Sequence, residues 1–175
     1  LEKRIPFRVH AHRHDDIVTA IRICEEFGID YTIEHCTDGY LIAEYLGKKQ
    51  AVAVVGPGLS PATKVETAAF TDENPAILAK HGVKVCLMTD HPFLNCRYFL
   101  HYAAIAHKYG LPFDETLRAI TINPAEVLGI ADRVGSLEPG KDADFAVLGG
   151  EPFSYEGAVL QTYIEGKLVW ERESF

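Results

Sequence analysis

Long apolar runs, clusters of basic residues and closely spaced cysteine pairs are all missing from this chain of 175 residues. No apolar stretch approaches the roughly 20 residues of a membrane-spanning helix, and the residues after Leu1 do not form a signal-peptide core. Lys and Arg total 17 against 25 Asp and Glu, giving a formal net charge of -8. This charge argues against binding to nucleic acid or to anionic membranes. We expect a cytoplasmic protein whose partner is a small molecule or another subunit.

The cysteines lack the CxxC spacing of redox and zinc motifs and lie in apolar or helical sequence. They are Cys24, Cys36, Cys86 and Cys96. This placement favours reduced thiols and no disulfide framework. The chain opens with Leu1, and residues 1–4 resemble the end of a helix, so we expect it to be part of a longer product.

From residue 6 onward, short β-branched runs alternate with amphipathic stretches, which predicts an α/β fold with a parallel sheet built from four βα units. We expect strands at 7–11, 31–34, 51–55 and 83–88, and helices at 15–27, 39–48, 75–81, 96–109, 114–120 and 123–128. Within these helices, Phe27 and Leu41 are expected on buried faces and Asp114 is expected as an N-cap.

The sequence changes character after Gly129, where strand and tight-turn residues replace the βα pattern. A hairpin is predicted between 159–164 and 168–171. We therefore divide the chain into a 1–128 unit and a small 129–175 β appendage.

Histidines and a carboxylate follow three of the predicted strands. They are His10, His12 and His14 at the end of the first strand, His35 at the end of the second, and Asp90 and His91 at the end of the fourth. In a parallel α/β barrel, functional side chains gather at these carboxyl ends. Imidazoles with one carboxylate suit zinc and similar divalent ions.

A single histidine in such a position is more often structural than a ligand, but three strand ends together favour a site. Alternation along the first strand puts His10 and His12 on the same side, so either is a candidate ligand while the other lines the pocket. His91 is expected either to contact substrate or to cap a turn. His14 is expected at the surface. The remaining histidines, His81, His101 and His107, are expected to be structural or exposed.

Six segments together resemble the C-terminal half of amidohydrolases, in particular proteins similar to imidazolonepropionase, deacetylases and prolidases. They are RVHAHR, IEHCTDGY, VVGPGLSP, VCLMTDHP, TINPAEVLGIADRVGSLEPGKDADFAVL and TYIEGKLVW. The long fifth segment is the most specific. The resemblance implies strands five to eight of a (β/α)8 TIM-type barrel, with a C-terminal portion of a β-sandwich built from both chain ends.

The resemblance also implies roles for individual residues. His10 and His35 match metal ligands on the fifth and sixth strands, and Asp90 matches an aspartate that touches metal and serves as the catalytic base. His12 and His91 are expected near substrate. The implied cofactor is a divalent metal, zinc first, with Fe or Mn as alternatives. The implied reaction is hydrolysis of a carbon–nitrogen bond by metal-activated water.

The family also has an HxH motif on strand one and a bridging Lys or Glu on strand four, and these strands are absent from this sequence. The sequence His10-Ala11-His12 is not that motif, because it matches the fifth strand. A half-barrel exposes sheet edges and interior surface, so we expect a homo-oligomer or a chain that pairs with the missing half and is inactive alone. The alternative is a non-catalytic half-barrel or a flavodoxin-like scaffold. Lys64 and Arg97 are possible contacts for a substrate carboxylate.

Overall fold

Four parallel strands form the main sheet of the protein. The computed structural model describes residues 5–59, 64–154 and 156–173. The strands are β1 (Phe7–Ala11), β2 (Tyr31–His35), β3 (Val52–Val55) and β4 (Lys84–Leu87). They pair in the order β1-β2-β3-β4 with every pairing parallel. The predicted parallel α/β sheet is confirmed, and its strands follow the chain order without the reversal of a flavodoxin-like sheet.

Helices connect and follow these strands at the predicted places. They are α1 (His14–Phe27), α2 (Ala43–Lys48), α3 (Asn74–Lys80), α4 (Phe99–Lys108), α5 (Phe113–Ile120) and α6 (Ile122–Leu128). Short 3-10 turns lie at Gly39–Ile42, Val65–Thr67 and Cys96–Tyr98. No helix in the described ranges is both long and apolar enough to cross a membrane.

Three predictions about helix side chains were wrong. Phe27 is 55% exposed because it is the last residue of α1, at the end of the face that packs on the sheet. Leu41 is 54% exposed because it lies in a 3-10 turn, whose shorter period moves it off the buried stripe of an α-helix. Pro112, not Asp114, occupies the N-cap of α5, since the helix already begins at Phe113.

The two faces of the main sheet differ in burial. Ile33, Ala53 and Val85 are at most 2% exposed and belong to one core with residues of the helices, including Ile17 and Leu78. At alternate positions, Arg8, His10 and Lys84 are exposed, and Glu34, Val52 and Val54 are only partly buried. Helices therefore cover one face far better than the other.

The predicted β appendage is a separate antiparallel sheet. It consists of β5 (Phe145–Gly149), β6 (Ala158–Ile164) and β7 (Lys167–Glu171), in that order. Glu165 and Gly166 form the hairpin turn, with φ angles of 51° and 72°. Two positive φ values in succession are typical of the tight turns that join antiparallel strands.

Burial separates the cysteines into two classes of reactivity. Cys24, Cys36 and Cys86 are at most 3% exposed, whereas Cys96 is exposed. Burial raises the pKa of the Cys36 and Cys86 thiols to about 12, which suppresses the reactive thiolate.

We expect one fast-reacting thiol per native chain in a DTNB assay and four after denaturation, with Cys96→Ser removing the fast one. A second fast-reacting thiol in the native protein would contradict the burial of the other three cysteines.

Candidate metal centre

One cavity collects the polar residues at the carboxyl ends of the strands. His10 lies on β1 and His12 follows it directly, His35 ends β2, and Asp90 follows β4. All four side chains line this cavity. The predicted convergence of His10, His35 and Asp90 on one mouth of the sheet is therefore observed.

The imidazole rings of His10, His12 and His35 form a compact cluster. Their ring centroids lie 4.9 Å apart for His10 and His12, 4.2 Å for His10 and His35, and 4.5 Å for His12 and His35. One potential ligand atom from each ring lies within 4.8 Å of the other two. Alternation along β1 explains why His10 and His12 share a side, as predicted.

His35 reaches the cluster through its backbone conformation. Regular alternation along β2 would place its side chain with that of Ile33, on the face covered by helices. His35 and Cys36 instead have φ angles of 68° and 49°, in the left-handed region that bulky residues rarely adopt. Such conformations cost of order 1–3 kcal/mol and are concentrated at functional sites. This local break in the strand turns the imidazole toward His10 and His12.

Hydrogen bonds at Nδ1 fix two of the three rings. His35 Nδ1 lies 2.7 Å from the carbonyl oxygen of Gly56, to which it donates, and His12 Nδ1 lies 2.8 Å from Thr37 Oγ1. This leaves Nε2 of both rings without a structural role. His12 Nε2 is buried and has no hydrogen-bond partner in the described part of the chain. Metal-binding histidines typically have this arrangement, with one nitrogen anchored and the other bound to the ion.

Electrostatics favour the neutral, metal-binding form of the His12 and His35 rings. Burial first, and then the neighbouring His35 and His10, lower the pKa of His12 to about 4. Burial also lowers the pKa of His35, against the opposing effect of its hydrogen bond to Gly56 and of the Asp90 charge. Because a divalent ion requires deprotonated imidazole nitrogen, these residues fit a metal of the zinc type.

Asp90 sits at a sharp change of chain direction after β4. Its φ is 52°, and its carbonyl oxygen accepts a hydrogen bond of 2.8 Å from the Phe93 amide. It lines the same cavity as the three histidines, and its charge acts to raise the pKa of His35. The site thus combines neutral nitrogen donors with one carboxylate.

The other predicted contacts divide into two groups. Lys64 lines the cavity, with its ammonium 3.4 Å from the Glu66 carboxylate. His91 does not line it; its Nδ1 lies 3.4 Å from the Cys96 amide nitrogen, which donates to it. Arg97 is exposed and also lies outside the cavity lining.

The remaining histidines behave as predicted. His14 is about half exposed and its ring lies 3.4 Å from Asp38 Oδ2. His81 and His107 bond through Nδ1 to the carbonyl oxygens of Ile77 and Leu111. His101 is exposed on α4.

Sequence reasoning missed the residues that support the cluster. Thr37 and the Gly56 carbonyl anchor histidines that are more than 20 positions away in sequence. Asn74 is 2% exposed and donates a hydrogen bond of 2.9 Å to the Cys36 carbonyl, which holds the turn after His35. The position of Thr37, a short polar residue just after the strand-end residue His35, was a weak indication that it could anchor a histidine. Asn74 carried none.

Comparison with known proteins identifies the family. The model of the amidohydrolase family matches residues 5–169. The chain belongs to the amidohydrolase family. Members of this family hydrolyse carbon–nitrogen bonds and are generally dependent on divalent metals.

Three similar proteins show how much of an amidohydrolase this chain represents. The crystal structure of an amidohydrolase from Thermotoga maritima MSB8 is 47% identical, with a TM-score of 0.91 over 97% of this chain and 44% of that one. The amidohydrolase tasK of Hapsidospora irregularis is 26% identical over 95% of this chain and 17% of that protein. The imidazolonepropionase of Thermoplasma acidophilum is 34% identical over 52% of this chain and 24% of that protein. The chain spans less than half the length of each relative.

Proposed function

We propose that this amidohydrolase chain supplies strands five to eight of a (β/α)8 barrel and one part of a site for metal-dependent hydrolysis of a carbon–nitrogen bond in an amide or cyclic amide. The observation that carries the proposal is the cluster of three imidazoles in one cavity that Asp90 also lines, at the strand ends. A purely structural role would not explain the buried Nε2 of His12, which has no hydrogen-bond partner in the described part of the chain.

His10 and His35 are the proposed ligands from β1 and β2, and Asp90 is the third protein group at the metal. His35 is held by Gly56 through Nδ1, so Nε2 is the nitrogen that would bind the ion. When bound, a divalent ion, zinc or alternatively Fe or Mn, supplies acidified water and polarises the scissile carbonyl. The HxH motif and the Lys or Glu typical of the family come from the half of the barrel outside this chain.

Asp90 is the proposed catalytic base and acid. Its carboxylate accepts a proton from the attacking water as the new carbon–oxygen bond forms, and then delivers that proton to the leaving nitrogen as the carbon–nitrogen bond breaks. No net proton is gained or lost by the residue in the cycle. Asp90 lines the same cavity as His35, in which the substrate is proposed to bind.

The substrate is proposed to be a small molecule that enters the cavity from the open ends of the strands. Phe70, Phe93 and Pro57 supply apolar walls, and Lys64 supplies a positive charge for a substrate carboxylate. His91 stays a predicted substrate contact that would require the segment after Asp90 to move. Neither nucleic acid nor a membrane is proposed as a partner.

A chimeric enzyme tests this proposal directly. We expect that this chain, replacing the 44% of the Thermotoga maritima protein that it matches, restores hydrolysis of a panel of N-acyl and cyclic amides. Because half of the ligands lie outside the chain, the chain alone is expected to be inactive. A chelator should abolish the activity of the chimera, and zinc should restore it.

The matched control is the same chimera with His101→Ala, which changes an exposed histidine far from the cavity. It should behave like the unmodified chimera. Hydrolysis that persists undiminished in metal-free protein would refute the proposed mechanism.

A further inference from the structure

We propose that His12 is a third imidazole ligand, so that this chain alone brings three histidines to a zinc-type divalent cation. The inference rests on the proposed function, which takes His10 and His35 as ligands from this chain. It replaces the expected role of His12 as a substrate contact with a role at the metal itself.

The first observation is the unpaired Nε2 of His12. The residue is 8% exposed, and this nitrogen has no hydrogen-bond partner in the described parts of the chain. Burying a polar nitrogen without a partner is unfavourable, and such atoms in native proteins are usually bound to water or to an ion. Glu66 Oε1 lies 3.8 Å from this nitrogen, too far for a hydrogen bond.

The second observation is the bond at the opposite ring nitrogen. Thr37 Oγ1 lies 2.8 Å from His12 Nδ1, and this pair is buried. When Nδ1 carries the proton and donates it to the hydroxyl oxygen, Nε2 is the ring nitrogen that keeps a free lone pair for an ion. His35 is anchored through Nδ1 to Gly56 in the same way. Two neighbouring histidines thus have the anchoring expected of metal ligands.

The third observation is the distance between the rings. One ligand atom from each of His10, His12 and His35 lies within 4.8 Å of the others. Zinc–nitrogen bonds of about 2.1 Å at tetrahedral angles place ligand nitrogens about 3.4 Å apart. The distances between the ligand nitrogens therefore have to shorten by at most about 1.4 Å when zinc binds. The exposed His10 side chain has room to make that movement.

Zinc affinity of the 175-residue chain tests the assignment. Competition with a chromophoric zinc chelator is expected to show one tight site per chain. His12→Gln, His10→Ala and His35→Ala should each weaken binding by about 100-fold or more. Thr37→Val, which removes only the anchor, should weaken it by about 10–100-fold. His101→Ala and His14→Ala, at exposed or half-exposed positions, should bind as the unmodified chain does.

The outcomes separate this inference from the proposed function. If His12→Gln binds zinc normally while His10→Ala and His35→Ala do not, His12 is no ligand and the proposed function survives. If none of the three weakens binding, both ideas fail. Far-UV circular dichroism checks that each variant is folded.

A measurement on the unmodified chain avoids the risk that His12→Gln does not fold. In ¹⁵N spectra of the histidine rings, zinc should shift Nε2 of His12 together with ring nitrogens of His10 and His35. A His12 Nε2 signal that zinc leaves unchanged overturns the inference.

Discussion

Replacing Asp90 with asparagine in the chimeric enzyme is expected to lower kcat by about 10²–10⁴-fold, the usual contribution of a positioned acid–base group. Asparagine keeps the size of the side chain and one acceptor oxygen, but it cannot take up the proton of the attacking water. The metal content is expected to remain near that of the parent chimera, because imidazoles provide most of its ligands.

Asparagine is also the substitution that disturbs the backbone least. Asp90 has a φ of 52°, and Asn tolerates this left-handed conformation about as well as Asp does, whereas Ala would add strain. A loss of kcat in Asp90→Asn therefore reports on proton transfer and not on misfolding. The measurement is steady-state kinetics with zinc quantified in the same sample.

The matched control is Asp16→Asn, which removes an exposed carboxylate in the first turn of α1, away from the cavity. It should change kcat less than twofold, since exposed charges distant from a site have little effect. If Asp90→Asn retained nearly full kcat with full metal occupancy, Asp90 would not be the catalytic base.

Periodicity in the sequence was enough to place the elements of this fold. The main-sheet strands and the helices follow the alternation of β-branched and amphipathic segments, and the hairpin around Glu165 and Gly166 follows its turn residues. Leu41 is a residue whose burial periodicity predicted wrongly. Periodicity cannot distinguish the first turn of an α-helix from a 3-10 turn, and the difference moves a side chain from the core to the surface.

The candidate site was predictable only in part. Alternation along β1 is a local property, so the shared side of His10 and His12 could be deduced from their spacing. The same rule fails for His35, whose left-handed backbone reverses the direction that alternation assigns. Only the rule that sites form at strand ends, together with the family resemblance, pointed to that residue.

The anchors of the site depend on contacts that no local pattern encodes. Thr37 meets His12 across 25 positions, and Asn74 meets the Cys36 carbonyl across 38. Such contacts exist only after β1, β2 and α3 have packed together. A single sequence therefore indicates the candidate ligands more readily than the groups that orient them.

The second large effect we expect is self-association of the chain on its own. Within the described residues, β1 and β4 each pair with a single neighbouring strand; the edge of β4 is partly covered, since Asn123 donates a hydrogen bond to the Val85 carbonyl, whereas the edge of β1 is open. Phe7 on β1 is 49% exposed, and Val52 and Val54 are incompletely covered on the less buried face. Open edges beside apolar surface favour pairing with a further chain. In an eight-stranded barrel, the missing strands would occupy these positions.

Sedimentation velocity of the isolated chain should accordingly show species larger than the 19.4 kDa monomer, increasing over about a hundredfold range of concentration. Phe7→Lys, which places a charge on the open edge of β1, should shift this equilibrium toward monomer. Ile23→Lys is the matched control, because Ile23 is similarly exposed at 43% but lies on α1. A cooperatively folded monomer at every concentration would mean that this sheet is stable without further strands beside it. The half-barrel proposal would then be wrong.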